Sequence, residues 1–345
     1  MPSAADDIRR AIERAGGPLR FDEYLDIALY GENGFYSGGG RAGRDGDFLT
    51  SPEVGPLFGT VLARALQSWW NEAGRPVPFV VVEIGAGPGT LARSVLASGE
   101  PFVGVLRWCA VEKSHAQQSM HPPEVESRSD IPAERAHVVI GNEVLDNVPF
   151  RLLVNDGGWK ESYVDLVAGQ CVEVLRPCAP DVIGLPESAP HGARIPLQTA
   201  AAELVDRCAS MVNPGRMLFF DYCTDTTAEL AAMPWREWLR TYQRHGRGRH
   251  YLVAPGEQDV TTQVALDQLA VAVPGMSIVS QADFLHTWGI DELVAEGRRA
   301  WDAAAHNPNV AALRMRSRVR EAEALTDPAG LGGFHVLQWT IEANV

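Results

Sequence analysis

The chain has 345 residues, a formal net charge of −14 and a pI near 5.1. That length supports a large core in one or two domains, and the acidic balance argues against a sequence-independent nucleic-acid binder, which needs a basic face. Five scattered cysteines without a C-x-x-C pair, and no apolar run approaching about eighteen residues, argue against a disulfide framework, a structural zinc and a membrane span.

The N-terminus carries Asp6, Asp7 and Glu13 and has no signal or transit pattern. With the reduced-thiol composition, this sets the expectation of a cytoplasmic protein. Ile8, Ile12 and Ala15 recur at helical spacing, and Gly16-Gly17-Pro18 ends that helix. A second helix is expected over residues 21–30. Residues 36–53 are glycine-dense and polar, and read either as a surface connection or as a lid. Residues 56–70 form an amphipathic helical pattern.

The next stretch organises the chain. Val80-Val81-Val82-Glu83-Ile84 is a β-branched run ending in an acid and reads as a buried parallel strand. Gly85, Gly87 and Gly89 follow at alternate positions, and a helical pattern starts at Thr90. Glycines there let the backbone turn tightly, and the following helix offers its free N–H groups to a ligand. A dinucleotide fingerprint wants glycine at the sixth position, where this chain has Thr90. An acid, one residue and then alternate glycines fits the S-adenosylmethionine (SAM) form instead.

Residues 104–111 read as the second parallel strand, ending at Glu112, an acid placed to accept hydrogen bonds from ribose hydroxyls. Residues 122–134 are polar and irregular, with Asp130 at the adenine edge. Residues 137–141 are another strand, followed by Asn142-Glu143-Val144-Leu145-Asp146-Asn147. Polar groups there lie where open α/β sheets bind ligands, although Asn142 and Glu143 also suit a helix start. A hairpin over 150–167, a strand at 170–175 and a proline-rich loop at 179–194 suggest a β insertion. Then come a helix over 196–212, a strand at 217–220 ending in Asp221, and a short helix over 235–242. Residues 244–250 form a basic, glycine-rich loop read as mobile, with His245 as a candidate base. Asp259 and Thr261 read as caps of a helix running to 273. A strand at 277–280, helices over 282–305 and 311–325, and a strand over 334–341 complete a mostly parallel sheet covered on both faces.

The block from Val82 to Leu91, together with Gly141-Asn142-Glu143-Val144-Leu145-Asp146-Asn147-Val148-Pro149, resembles the MidA-like class I SAM-dependent methyltransferases, a family that includes the mitochondrial complex I assembly methyltransferase. Gly46-Asp47-Phe48-Leu49-Thr50-Ser51-Pro52-Glu53, Phe220-Asp221-Tyr222, the block from Pro255 to Thr261 and that from Phe284 to Ile290 resemble further family blocks in the same order. Pro88 stands where the family commonly has arginine, and Val144 and Asn147 depart from its pattern at positions that shape the acceptor pocket. The resemblance implies an α/β class I methyltransferase fold. This is a Rossmann-like, doubly wound sheet of seven strands, the last antiparallel, with an N-terminal helical region and a β insertion. The division expected is 1–75 for the helical and lid region and 76–345 for the methyltransferase domain, with insertions at about 150–195 and 224–265. SAM is the implied cofactor, held by Glu83, Gly85, Gly87, Gly89, Glu112, Asp47 and Thr50.

The leading functional reading is a protein-arginine N-methyltransferase. A guanidinium stays protonated in proteins, so carboxylates must orient it and hold its charge. Glu143 and Asp146, read as one helical turn apart, supply that clamp beside Asn142. A small-molecule O-methyltransferase using His245 as base, and a SAM-binding assembly protein without turnover, are the alternatives. No metal, nucleic-acid or membrane partner is expected.

Overall fold

The computed structural model describes residues 2–37, 50–179, 182, 184–244, 246–304, 306–307 and 309–343. Its centre is a seven-stranded sheet. In chain order the strands are β1 (Phe79–Ile84), β2 (Leu106–Val111), β3 (Glu126–Arg128), β4 (Ala136–Asn142), β5 (Val212–Asp221), β6 (Ser277–Ser280) and β7 (His335–Ile341). Their order across the sheet is β6-β7-β5-β4-β1-β2-β3. The neighbours from β5 to β3 run parallel, and β7 is antiparallel to both β5 and β6. The expected α/β, mostly parallel sheet is therefore present.

β1 and β4 read as largely apolar runs because both of their faces are covered. Side chains alternate across a strand. Val81, Ile140 and Leu218 join the core beneath the helix Pro56–Glu72, with Phe58, Leu62 and Leu66. Val82, Val139, Met217 and Phe219 face the other way and pack with Val205 and Cys208 of the helix Thr199–Met211. Each such side chain, once buried, contributes about 1.5–3 kcal/mol. This two-faced core makes the carboxyl ends of β1, β2 and β4 a rigid rim, and the cleft is built on it.

A second, antiparallel sheet joins Leu19–Arg20, Arg151–Asn155, Trp159–Val167, Gln170–Pro177 and Arg194–Leu197. The N-terminal helices Ala4–Ala15 and Phe21–Tyr30 share one buried cluster with it, through Ile8, Phe21, Tyr24, Phe150 and Leu152. A three-stranded sheet of Leu239–Gln243, Gly246–Arg247 and Asp259–Thr262 completes this side.

Several local expectations need correction. β3 lies in the stretch read as irregular: Glu126–Arg128 is polar and short, so no apolar alternation marks it. Arg194–Leu197 is a strand where a loop and a helix start were expected. The helix at Trp235–Trp238 gives way to a strand at Leu239, and Asp259–Thr262 is that strand's partner, not a helix cap. The helix expected over 282–305 breaks at Gly289, whose φ of 86° is left-handed. All five cysteines are free. No helix among the described residues is long and apolar enough to cross a membrane.

Candidate functional site

The carboxyl ends of β1, β2 and β4 open into a cleft of about 300 Å³. Its apolar lining includes Ile84, Ala86, Leu91, Val111, Ile131 and Val148, and its polar lining includes Thr50, Glu53, Glu83, Glu112, Asp130, Asn142, Glu143 and Asn147.

The glycine turn forms one wall. Gly85, Gly87 and Gly89 have φ of 67°, 53° and 76°, a region L side chains enter only with strain. Gly85 N and Ala86 N donate to the Val111 carbonyl at 2.9 and 3.1 Å, tying the turn to the end of β2. A Cβ on Gly85 would sit 2.7 Å from Val144 Cγ2, and one on Gly141 would sit 2.8 Å from Val144 Cγ1. Val144 is thus seated over two residues without side chains, which lays the segment after β4 directly against the glycine turn.

Glu112 closes the turn from β2. Its Oε2 accepts from Gly87 N at 3.0 Å and its Oε1 from Ser114 N at 2.8 Å. Burial raises its pKa, and these backbone donors work against that rise. His121 holds the same peptide from the other side: its ring nitrogens contact the Gly87 carbonyl and Ser127 Oγ, each at 2.8 Å. A carbonyl only accepts, so Nε2 carries the proton. Glu83 is buried, bonded to Trp108 Nε1 at 2.9 Å, and burial pushes its carboxyl up to about 8.

The segment after β4 forms the opposite wall, and it is not helical. Glu143 has a φ of 49°, and its N–H donates to the Phe220 carbonyl at 2.8 Å. This corrects the clamp expected from helical spacing: Glu143 lines the cleft, whereas Asp146 is buried and is not among its lining residues. Glu143 Oε1 accepts from Ser51 N at 3.3 Å and Asn142 Nδ2 at 3.2 Å. Burial, then the neighbouring Asp146, push Glu143 up to about 8. Asp146 bonds the Tyr222 hydroxyl through Oδ2, and its Oδ1 has no partner among the described residues. Asp221 accepts from Leu145 N at 3.0 Å, holding this segment to β5. Burial drives Asp146 and Asp221 well above the carboxylate range.

The third wall comes from the N-terminal region, to which the sequence reading assigned no site residue before Asp47. Tyr30 and Tyr36 stack at 5.4 Å, Lys113 Nζ lies 4.5 Å from the Tyr30 ring centroid, and both tyrosines line the cleft. Asp259 Oδ1 accepts from Tyr36 Oη at 3.2 Å and Asn147 Nδ2 at 3.0 Å, so it joins this wall to the segment after β4. The signal for the pair is its position: Tyr30 ends a helix and Tyr36 follows after a glycine-bounded turn. Thr50 is among the lining residues, and Asp47, His245 and the 38–46 glycine run lie outside the described residues. Among the described residues no His, Cys, Asp or Glu cluster is arranged to hold a metal ion.

A cofactor with a ribose, a sulfonium and a flat base fits these walls. The glycine turn leaves backbone open to the cleft, Glu112 brings a carboxylate to it, and the apolar lining suits a ring.

The family model described as "Putative S-adenosyl-L-methionine-dependent methyltransferase" matches residues 61–281. The mouse protein named protein arginine methyltransferase NDUFAF7, mitochondrial, is 26% identical over 325 residues, covering 81% of this chain and 72% of that protein. Its Drosophila melanogaster homologue is 28% identical over 186 residues, covering 44% and 42%. The crystal structure of a Burkholderia thailandensis protein bound to S-adenosyl-homocysteine aligns with a TM-score of 0.81 and 28% identity, covering 98% of this chain and 91% of that one. The relatives' names place those proteins in mitochondria, which overturns the cytoplasmic expectation. Free thiols report a reducing environment and carry no address.

Proposed function

The chain belongs to the S-adenosyl-L-methionine-dependent methyltransferase family whose model spans residues 61–281, and we propose that its methyl acceptor is an arginine side chain of a protein. One observation carries the proposal: Glu143 presents a carboxylate in the same cleft as the glycine turn and Glu112, backed by buried Asp146 and Asp221. Such a site is costly without a cation and suits a guanidinium. The arginine methyltransferase names of the mouse and fly relatives support the same acceptor. Among the described residues no histidine lines the cleft, so nothing described there favours a histidine-assisted O-methyl transfer.

SAM is the cofactor, and in this reading Gly85, Gly87, Gly89, Glu83, Glu112 and Thr50 hold it. When bound, it supplies an electrophilic methyl on a sulfonium. The chain's own residues do the positioning, which is most of the catalysis for an in-line transfer. Glu143 and Asn142 orient the guanidinium and keep its charge away from the attacking nitrogen. Asp146 acts through Tyr222 and the electrostatic field, not by contact. The charge of the bound guanidinium draws Glu143, raised by burial in the free site, back to its carboxylate, and that carboxylate takes up the proton that the methylated nitrogen sheds. The strand order and the antiparallel last strand support the class I, Rossmann-like assignment. In this scheme the helix Pro56–Glu72 belongs with 76–345 in the methyltransferase unit, because it packs on the central sheet, and the N-terminal helices with the insertions at about 150–195 and 224–265 form the acceptor side.

The test is single-turnover transfer from labelled SAM followed by hydrolysis of the protein acceptor. Label is expected in methylarginine. Glu143→Gln should lower turnover by about a hundredfold with SAM affinity nearly intact, Asp146→Asn by less, and His245→Ala least. Label recovered only on a small-molecule hydroxyl would refute the proposal.

A further inference from the structure

Residues 240–250 carry four arginines and two histidines and no acid, in a chain of net charge −14. The sequence reading makes this a mobile loop, but its described part is a fixed platform. Leu239–Gln243 pairs with Gly246–Arg247 on one side and Asp259–Thr262 on the other. Gly248 N donates to the Thr241 carbonyl at 2.8 Å, and Thr241 Oγ1 donates to the Arg249 carbonyl at 2.7 Å. Gln258 is buried; its Oε1 accepts from Arg249 N at 2.8 Å and its Nε2 donates to the His250 carbonyl at 3.1 Å. A Cβ on Gly248 would come within 2.6 Å of Gln258 Oε1, so this packing requires glycine.

The platform presents its charge outward. Arg247 and Arg249 are exposed and make no ion pair among the described residues, whereas Arg64, Arg107 and Arg128 each pair with carboxylates. The register ties this charge to the cleft. Asp259 pairs with Tyr242 and Tyr242 with Arg247, so the three share one rung and one face of the sheet. Asp259 is the residue that bonds Tyr36 and Asn147 in the cleft wall. Two strand spacings put the Arg247 backbone about 10 Å beyond it, the reach of about three extended residues.

We propose that this hairpin is the docking surface for an acidic segment of the protein acceptor, lying about three to five residues from the target arginine. The inference rests on the protein-arginine reading. A pinned backbone suits recognition because little order is lost on binding. The acidic body of the protein disfavours a long polyanion such as RNA.

The experiment is fluorescence anisotropy with a labelled peptide of Glu, Asp and Gly, using the full chain, Arg247→Glu/Arg249→Glu, and Arg298→Glu/Arg299→Glu as a charge-matched control on another element. The hairpin variant should lose about tenfold or more in peptide affinity, the scale of two exposed pairs turned repulsive. Calorimetry should give unchanged SAM affinity, which also reports an intact fold. Equal loss in both variants would overturn the proposal, as would no loss in the hairpin variant. Tighter binding of a charge-matched single-stranded RNA, lost in the same variant, would overturn it in favour of nucleic acid. No turnover enters this assay. Peptide docking without methylarginine formation would therefore sink the acceptor reading alone, and methylarginine formation unaffected by the hairpin variant would sink the docking surface alone.

Discussion

Gly85→Ala is the most informative single change, because two separable costs meet at that residue. Its φ of 67° is left-handed, which costs a residue with a side chain about 1–2 kcal/mol. The added methyl would also lie 2.7 Å from Val144 Cγ2, and overpacking of that kind typically costs about 1–3 kcal/mol. The expected destabilisation is therefore about 2–5 kcal/mol, a large share of a typical domain's 5–15. Only the second part depends on Val144. Urea denaturation of the parent, Gly85→Ala, Val144→Ala and the double variant should give a favourable coupling of about 1–3 kcal/mol, the double being less destabilised than the sum. SAM affinity should follow the same pattern, since Val144 presses the segment after β4 against the turn that borders the cleft. Additivity within about 0.5 kcal/mol would mean that Val144 is not seated on Gly85, and the account of how the two walls meet would be wrong.

Glu112→Gln should weaken SAM binding by about tenfold to a hundredfold, because an amide can accept from only one of the Gly87 and Ser114 N–H groups and turns its own donors toward the other; calorimetry within threefold of the parent would refute this. Stability should fall as pH rises from about 5 to 8 and level off above that. Glu83 and Glu143 hold their protons up to about 8 in the fold and only to the ordinary carboxylate range when unfolded, so their contribution is full at low pH and is lost as pH rises through about 8. A Tm that is flat or rises over that window, or a profile unchanged in Glu83→Gln, would contradict the burial argument.

The residues alone determined much of the central machinery. The apolar runs at 79–84 and 137–141 are strands buried on both faces, and such runs are visible without any partner. Gly85, Gly87 and Gly89 follow the first of them, and all three adopt the left-handed backbone that glycine permits. Glu112 at the end of the second strand meets that turn because parallel strands bring their carboxyl ends together. The antiparallel last strand came from the family resemblance rather than from periodicity.

What needed the tertiary structure depends on distant partners. Glu126–Arg128 is a strand only because Cys109–Val111 pairs with it, and its own polar residues carry no period. Asp259 reads as a cap in isolation; folded, it bonds Tyr36 and Asn147, more than a hundred residues away in either comparison. Glu143 and Asp146 were separated by a backbone conformation that spacing does not encode: a left-handed residue, held by the Phe220 carbonyl, sends one carboxylate to the cleft and leaves the other beneath Tyr222. Local pattern reports what a segment buries. Which acid meets the cleft depends on backbone turns and hydrogen bonds from other strands, and those exist only once the sheet has closed.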